Sequence, residues 1–183
     1  MTLKPRAGLW LLVMLLAGWP LSAQSSWCAY KPGTLRAVID EHQSSLAANL
    51  APGHRNDIIS ADTRPTRATV MYVGEIRPLR STDSSFLDGY FLRVVRDTAF
   101  RTLFHREVLF VEGSDTLWLP TQDSLIADLQ GEVRPGGAVT LFARWLAARQ
   151  DGPSTRWLFT VNEFATPASQ SAWDRVFAEC VPS

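Results

Sequence analysis

EVLFVEGSDTLWLPTQDSLIADLQGEVRPGGAVTLFARWLAARQDGPSTRWLFTVNEF, residues 107 to 164, is the stretch on which the fold turns. Glu107 to Val111 and Thr116 to Leu119 are short runs of β-branched and bulky apolar residues, joined by Glu112-Gly113-Ser114-Asp115, whose Gly and Asp suit a tight hairpin. Between Asp123 and Gln130, Leu125, Ile126 and Leu129 fall at helical spacing, with Pro120 and Gly131 outside them, which predicts a short helix. Arg134-Pro135-Gly136-Gly137 reads as a turn, and Ala138 to Ala147 and Arg156 to Phe164 follow as strands around a polar turn at Arg149 to Ser154. In the first of these strands Val139, Leu141, Ala143, Trp145 and Ala147 alternate with Thr140, Phe142, Arg144 and Leu146. Both sets contain bulky apolar groups, so both faces of the sheet need cover.

Upstream, Ala68 to Ile76 and Gly89 to Arg96 have the same β-rich composition and are expected as two further strands. Strands, a short helix, then two more strands is the order of a small OB-like barrel, a five-stranded Greek-key barrel with a helix between its third and fourth strands. The order carries one strand more than that minimum, and an SH3-like barrel or small β-sandwich stays open. The expected class is α+β, mainly β, with the barrel over residues 67–164.

An N-terminal and a C-terminal helix are expected to pack on this barrel. Over residues 34–50, Leu35, Val38, Ile39, His42 and Leu46 recur at helical spacing, with Thr34 as N-cap and Pro52-Gly53 as the stop. Residues 53–65 are polar and irregular and read as a connector, with Ile58-Ile59 facing the core. For the helix expected over residues 167–179, Trp173, Val176 and Phe177 share one face with Cys180 just beyond its end. The two helices are the covers expected for the second face of the sheet.

Residues 1–23 read as a signal peptide: Lys4 and Arg6, an apolar stretch from Gly8 to Gly18, a Trp19-Pro20 break, and Leu21-Ser22-Ala23 before Gln24. The apolar run is short for a membrane span, and Cys28, following Trp27, lacks the setting of a lipidated cysteine. The expected address is therefore periplasmic or secreted, with residues 24–183 as a single globular domain and no stable membrane anchor after cleavage. The sequence holds two cysteines, Cys28 and Cys180, near the ends of that domain. Two cysteines in an exported chain predict a disulfide.

Composition excludes several classes. With 46% apolar and 20% charged residues the chain has the means to build a core and is not disordered. Eighteen basic and eighteen acidic residues, or 16 against 18 once residues 1–23 are gone, give no field that would hold nucleic acid or anionic lipid.

No catalytic residue and no metal ligand set emerges from the motifs. There is no Gly-x-Ser-x-Gly elbow, no phosphate-cradling glycine loop and no Cys-x-x-Cys, and the three histidines are scattered, so no cofactor is implied. Asp40-Glu41-His42 is dense, yet neighbouring helical residues diverge by about 100° and do not converge on one ion. The residues left as candidates for ligand binding are Trp118, Trp145 and Trp157 on strands, Asn162 and Glu163 near the end of the last strand, and His105, Glu107 and Asp83. The reading that follows is a non-enzymatic binding or interaction module whose partner is a protein or oligosaccharide sooner than nucleic acid. An extracytoplasmic hydrolase using His105, Glu107 and Asp83, and a structural accessory subunit of an envelope complex, are the alternatives.

Overall fold

The structure, a computed structural model, describes residues 27–49, 57–59, 63–151 and 154–180. Residues 1–23, Gln24, Pro52-Gly53 and most of the 53–65 connector lie outside the described residues. The fold is mixed and dominated by sheet. In chain order the strands are β1 (Lys31–Pro32), β2 (Asp57–Ile59), β3 (Thr66–Pro78), β4 (Arg106–Glu112), β5 (Asp115–Thr121), β6 (Ala138–Asp151) and β7 (Ser154–Ala165). The helices are α1 (Leu35–Asn49), α2 (Ser81–Tyr90), α3 (Asp123–Glu132) and α4 (Gln170–Ala178).

β3 pairs antiparallel with β4, β4 with β5, and β6 with β7, while β5 meets β7 in parallel at Thr121 and Val161. β6 also pairs antiparallel with the first half of β3, from Thr66 opposite Ala143 to Met71 opposite Ala138. The pairings of these five long strands thus return to where they began. β3 serves both neighbours because it bends: its register against β4 shifts between Tyr72 and Ile76, and Gly74 there has φ +95°. The turn after α3 is laid on this bend, Gly136 donating its N–H to Tyr72 O at 2.7 Å and Tyr72 donating to Gly137 O at 2.9 Å.

A Cβ on Gly74 would stand 2.7 Å from Pro135 Cγ. Gly74→Ala therefore combines a left-handed backbone with a steric overlap and is expected to cost at least about 2 kcal/mol. Calorimetry would register a melting temperature lower by about 4–8 °C. The hairpin turn at Gly113-Ser114 needs its glycine for a different reason: φ is +60° at the first turn position, the pattern of a type II′ turn.

The inward residues Val70, Tyr72, Val108, Phe110, Leu119, Val139, Leu141, Trp145, Phe159 and Val161 form the main core. α3 packs Ile126 and Leu129 against it, and α1 packs Leu35, Val38 and Ile39. Thr34 Oγ1 accepts the Ala37 N–H at 3.0 Å, and the Glu112 carboxylate accepts those of Leu35 and Arg36 at 2.9 and 2.8 Å. Glu112 thereby fixes the start of α1 to the end of β4 and satisfies donors that a helix cannot pair internally. His42 lies at the border of this face, its ring 3.9 Å from that of Trp145 and its Nδ1 donating to Val38 O.

The second face of β6 is covered differently from expectation. α4 does cover it, with Trp173 and Phe177 against Phe142, beside Tyr30 and Trp27. α1 belongs to the main core, and the other cover is α2, which packs Leu87 and Tyr90, with Phe91 and Phe104, on Leu146. Residues 89–96 are therefore not a strand. Gly89 and Tyr90 close α2, Phe91–Val95 form a wide helical turn, and Arg96 ends it in the left-handed region. The sequence Tyr-Phe-Leu-Arg-Val-Val has strand propensity. Leu87, Tyr90 and Phe91, though, fall on one helical face, and burial of that face prevails over local preference. A disulfide joins Cys28 to Cys180, 152 residues apart in sequence.

Candidate functional site

Two constellations stand out. The first is a charge network at the β4–β7 end of the sheet. Glu107 and Asp83 have side chains 0% and 1% exposed, and Arg156 joins them, Nη2 to Glu107 Oε2 at 2.5 Å and Nε to Asp83 Oδ2 at 3.3 Å. Arg77 Nε adds a bond to Glu107 Oε1 at 2.6 Å, and Arg80 Nε one to Asp83 Oδ2 at 3.1 Å. Arg80 Nη1 also reaches Asp151 at 2.6 Å, and this hydrogen bond holds the Asp151 carboxyl below the ordinary range. Two buried carboxylates are thus each held by at least two guanidinium groups, which is what such burial requires. The cavity beside them is only about 80 Å³. The network clamps α2, where Asp83 occupies the first turn, onto β4 and β7.

The second is a pocket of about 430 Å³ on the outer face of β6 and β7. Arg144 and Thr160, direct partners across the two strands, form its floor with Leu146 and Asn162. Trp27 and Tyr30, which pack together, line one part of the pocket, Tyr90, Phe91, Val95 and Phe100 another, and Thr63, Gln122 and Glu163 complete the lining. The phenol oxygen of Tyr30 accepts from Arg144 Nε at 3.1 Å and from Asn162 Nδ2 at 3.0 Å. Burial pushes the Glu163 carboxyl up, the Phe164 N–H bonded to its Oε1 opposes this, and nearby Asp128 and Glu132 push it further. Burial likewise pushes the Tyr90 phenol up, with Arg144 drawing it back. Volume, aromatic walls and a few convergent polar groups are the attributes of a small-molecule site.

Of the residues singled out in the sequence, Asn162 and Glu163 line this pocket. Trp145 is in the main core, its indole N–H donating to Ala147 O at 2.9 Å, and Trp157 packs on that core. Trp118 lies under the Arg77 guanidinium, 3.8 Å from its ring. Asp83 and Glu107 meet through Arg156, but His105 stands apart, 63% exposed and donating to Asp123 Oδ2 at 2.6 Å. Among the described residues no three His, Cys, Asp or Glu side chains converge on a point that could hold a metal ion.

The sequence reading missed Arg144, Tyr30, Tyr90 and Phe91. One signal was available. Arg144 is the single charged residue between Val139 and Ala148, a strand whose two faces both demand cover, and a lone cation there marks an opening in that cover. No family model matches the sequence and no curated protein is significantly similar to it.

Proposed function

We propose that this chain is an exported, non-enzymatic ligand-binding module built on an OB-type barrel. The five long strands pairing round from β3 through β4, β5, β7 and β6 to β3 again, with α3 between the third and fourth, support the barrel and favour the OB order over an SH3-like one. With residues 89–96 helical, the count of long strands falls to five. The disulfide supports an oxidising compartment, in keeping with the signal-like residues 1–23. Among the described residues no helix is long and apolar enough to cross a membrane.

The observation that carries the binding reading is the 430 Å³ pocket in which Arg144 and Asn162, from neighbouring strands, both donate to the phenol oxygen of the sequence-distant Tyr30. The test is a thermal-shift screen of the oxidised protein against small apolar and amphiphilic compounds. A compound at about 100 times its Kd should add about 2.7 kcal/mol of stability. The shift should vanish in Asn162→Trp, which sets an indole into the pocket. Hits that survive in Asn162→Trp would place binding elsewhere.

The accessory-subunit reading has one observation in its favour. Leu92, Val94, Val95 and Phe100 are all exposed on the segment following α2. A screen without a single shift would move weight to it. No observation favours the hydrolase, since His105 is apart from the Asp83–Arg156–Glu107 network.

A further inference from the structure

We propose that the pocket takes an apolar monocarboxylate, its carboxylate seated on Arg144, Asn162 and Tyr30 and its apolar body between the aromatic walls. This rests on the reading of that pocket as a ligand site.

The head-group argument starts from what the donors lack. Arg77, Arg80 and Arg156 each hold a buried carboxylate. Arg144, half-buried, has none within ion-pair distance among the described residues; its hydrogen bond goes from Nε to the Tyr30 phenol. Its terminal N–H groups remain available, and a planar guanidinium matches a carboxylate in two parallel hydrogen bonds. Tyr30 accepts from both Arg144 and Asn162, so its own O–H has no acceptor among the described residues. Asn162 keeps a second amide N–H. Three neighbouring groups therefore present donors, and an acceptor-only oxyanion is their complement.

The charge number follows from the surroundings. One guanidinium, that of Arg144, lines the pocket, and the Glu163 carboxyl beside it is pushed up first by burial and further by the nearby Asp128 and Glu132. A single negative charge is matched by Arg144; a dianion adds a charge with nothing to meet it.

The body of the ligand is set by the walls. Trp27, Phe91 and Phe100 all line the pocket, the last two with rings stacked 5.5 Å apart, and the lining residues Val95 and Phe100 are also exposed. An acyl or aryl group longer than the pocket would find apolar surface at its mouth.

Titration calorimetry on the full oxidised protein tests this with decanoate, decanol, decyl phosphate and decyltrimethylammonium, each below its micelle concentration. Decanoate should bind about tenfold or more tighter than decanol, as expected for hydrogen bonds to a charged group, and tighter than decyl phosphate. The ammonium probe should give no binding. Arg144→Gln should bring decanoate to the level of decanol while leaving decanol unchanged. Asn162→Asp, which adds an anion beside the seat, should abolish the preference for decanoate independently. Equal affinity for decanoate and decanol, tighter binding of decyl phosphate, or an undiminished preference in folded Arg144→Gln or Asn162→Asp would overturn the carboxylate seat and leave the pocket reading in place. Absence of binding by all four probes would overturn both.

Discussion

Reducing the Cys28–Cys180 bond is expected to lower the melting temperature by roughly 10–20 °C. The bond spans 152 residues. In the chain-entropy account a closed loop of that length removes enough freedom from the unfolded chain to stabilise the fold by ~5 kcal/mol. For a domain of this size each kcal/mol shifts the midpoint by about 2–4 °C. The cross-link also holds together the cluster in which Trp27, Tyr30, Phe142, Trp173 and Phe177 pack. Its loss should loosen that cluster first, before the main core opens. Calorimetry of the wild type with and without reductant, and of Cys28→Ala/Cys180→Ala, measures the effect. The variant should match the reduced protein. A shift under about 5 °C in both would mean that the unfolded chain is constrained by something other than the disulfide. Because Tyr30 is two residues from Cys28, ligand binding in the pocket should weaken under the same conditions.

Arg156→Leu is expected to destabilise the protein by about 3–5 kcal/mol, the cost of stranding buried charges whose partner is removed. Arg156 contacts both Glu107 and Asp83, whose side chains are almost wholly excluded from solvent. The other guanidinium groups compensate only in part: Arg77 on Glu107 and Arg80 on Asp83 are each more than a third exposed, and Arg149 stands 3.8 Å from Asp83. A triple variant, Arg156→Leu/Glu107→Gln/Asp83→Asn, removes the stranded charges together with their partner and should recover most of the loss. Urea unfolding of the wild type, the single and the triple variant tests the account. A single variant within about 1 kcal/mol of wild type would show the network to be dispensable.

The parts of the fold legible in the sequence were those where one periodicity spoke without competition. The β4–β5 hairpin announced itself through Gly113 between two apolar runs, and α3 through Leu125, Ile126 and Leu129. The two cysteines paired because no other thiol was present to compete. Residues 89–96 were misread because their β-branched and aromatic content is equally compatible with a strand. Only the packing of Tyr90 and Phe91 against the sequence-distant Leu146 and against Phe104 decides that they sit on a helical turn. The pocket was legible at one edge alone. Asn162 and Glu163 interrupt an apolar strand and could be noticed locally. Tyr30, by contrast, lies 114 residues from Arg144 and 132 from Asn162, and no local pattern links them. The strand tryptophans attracted attention as large aromatics, but the aromatic walls of the pocket come from Trp27 and from the α2 region.

The covalent link between the two ends of the domain also determines how it would carry mechanical load. The Cα atoms of Cys28 and Cys180 are 5.3 Å apart. Tension applied through chain on either side would enter and leave at almost one point and pass through the sulfur bridge. The β-strands lie on the slack side of that bridge, as do all the pocket residues except Trp27, which precedes Cys28. In an oxidising environment the domain would act as an inextensible bead on a string, keeping its sheet intact under pulling forces that would otherwise peel β7 from β6.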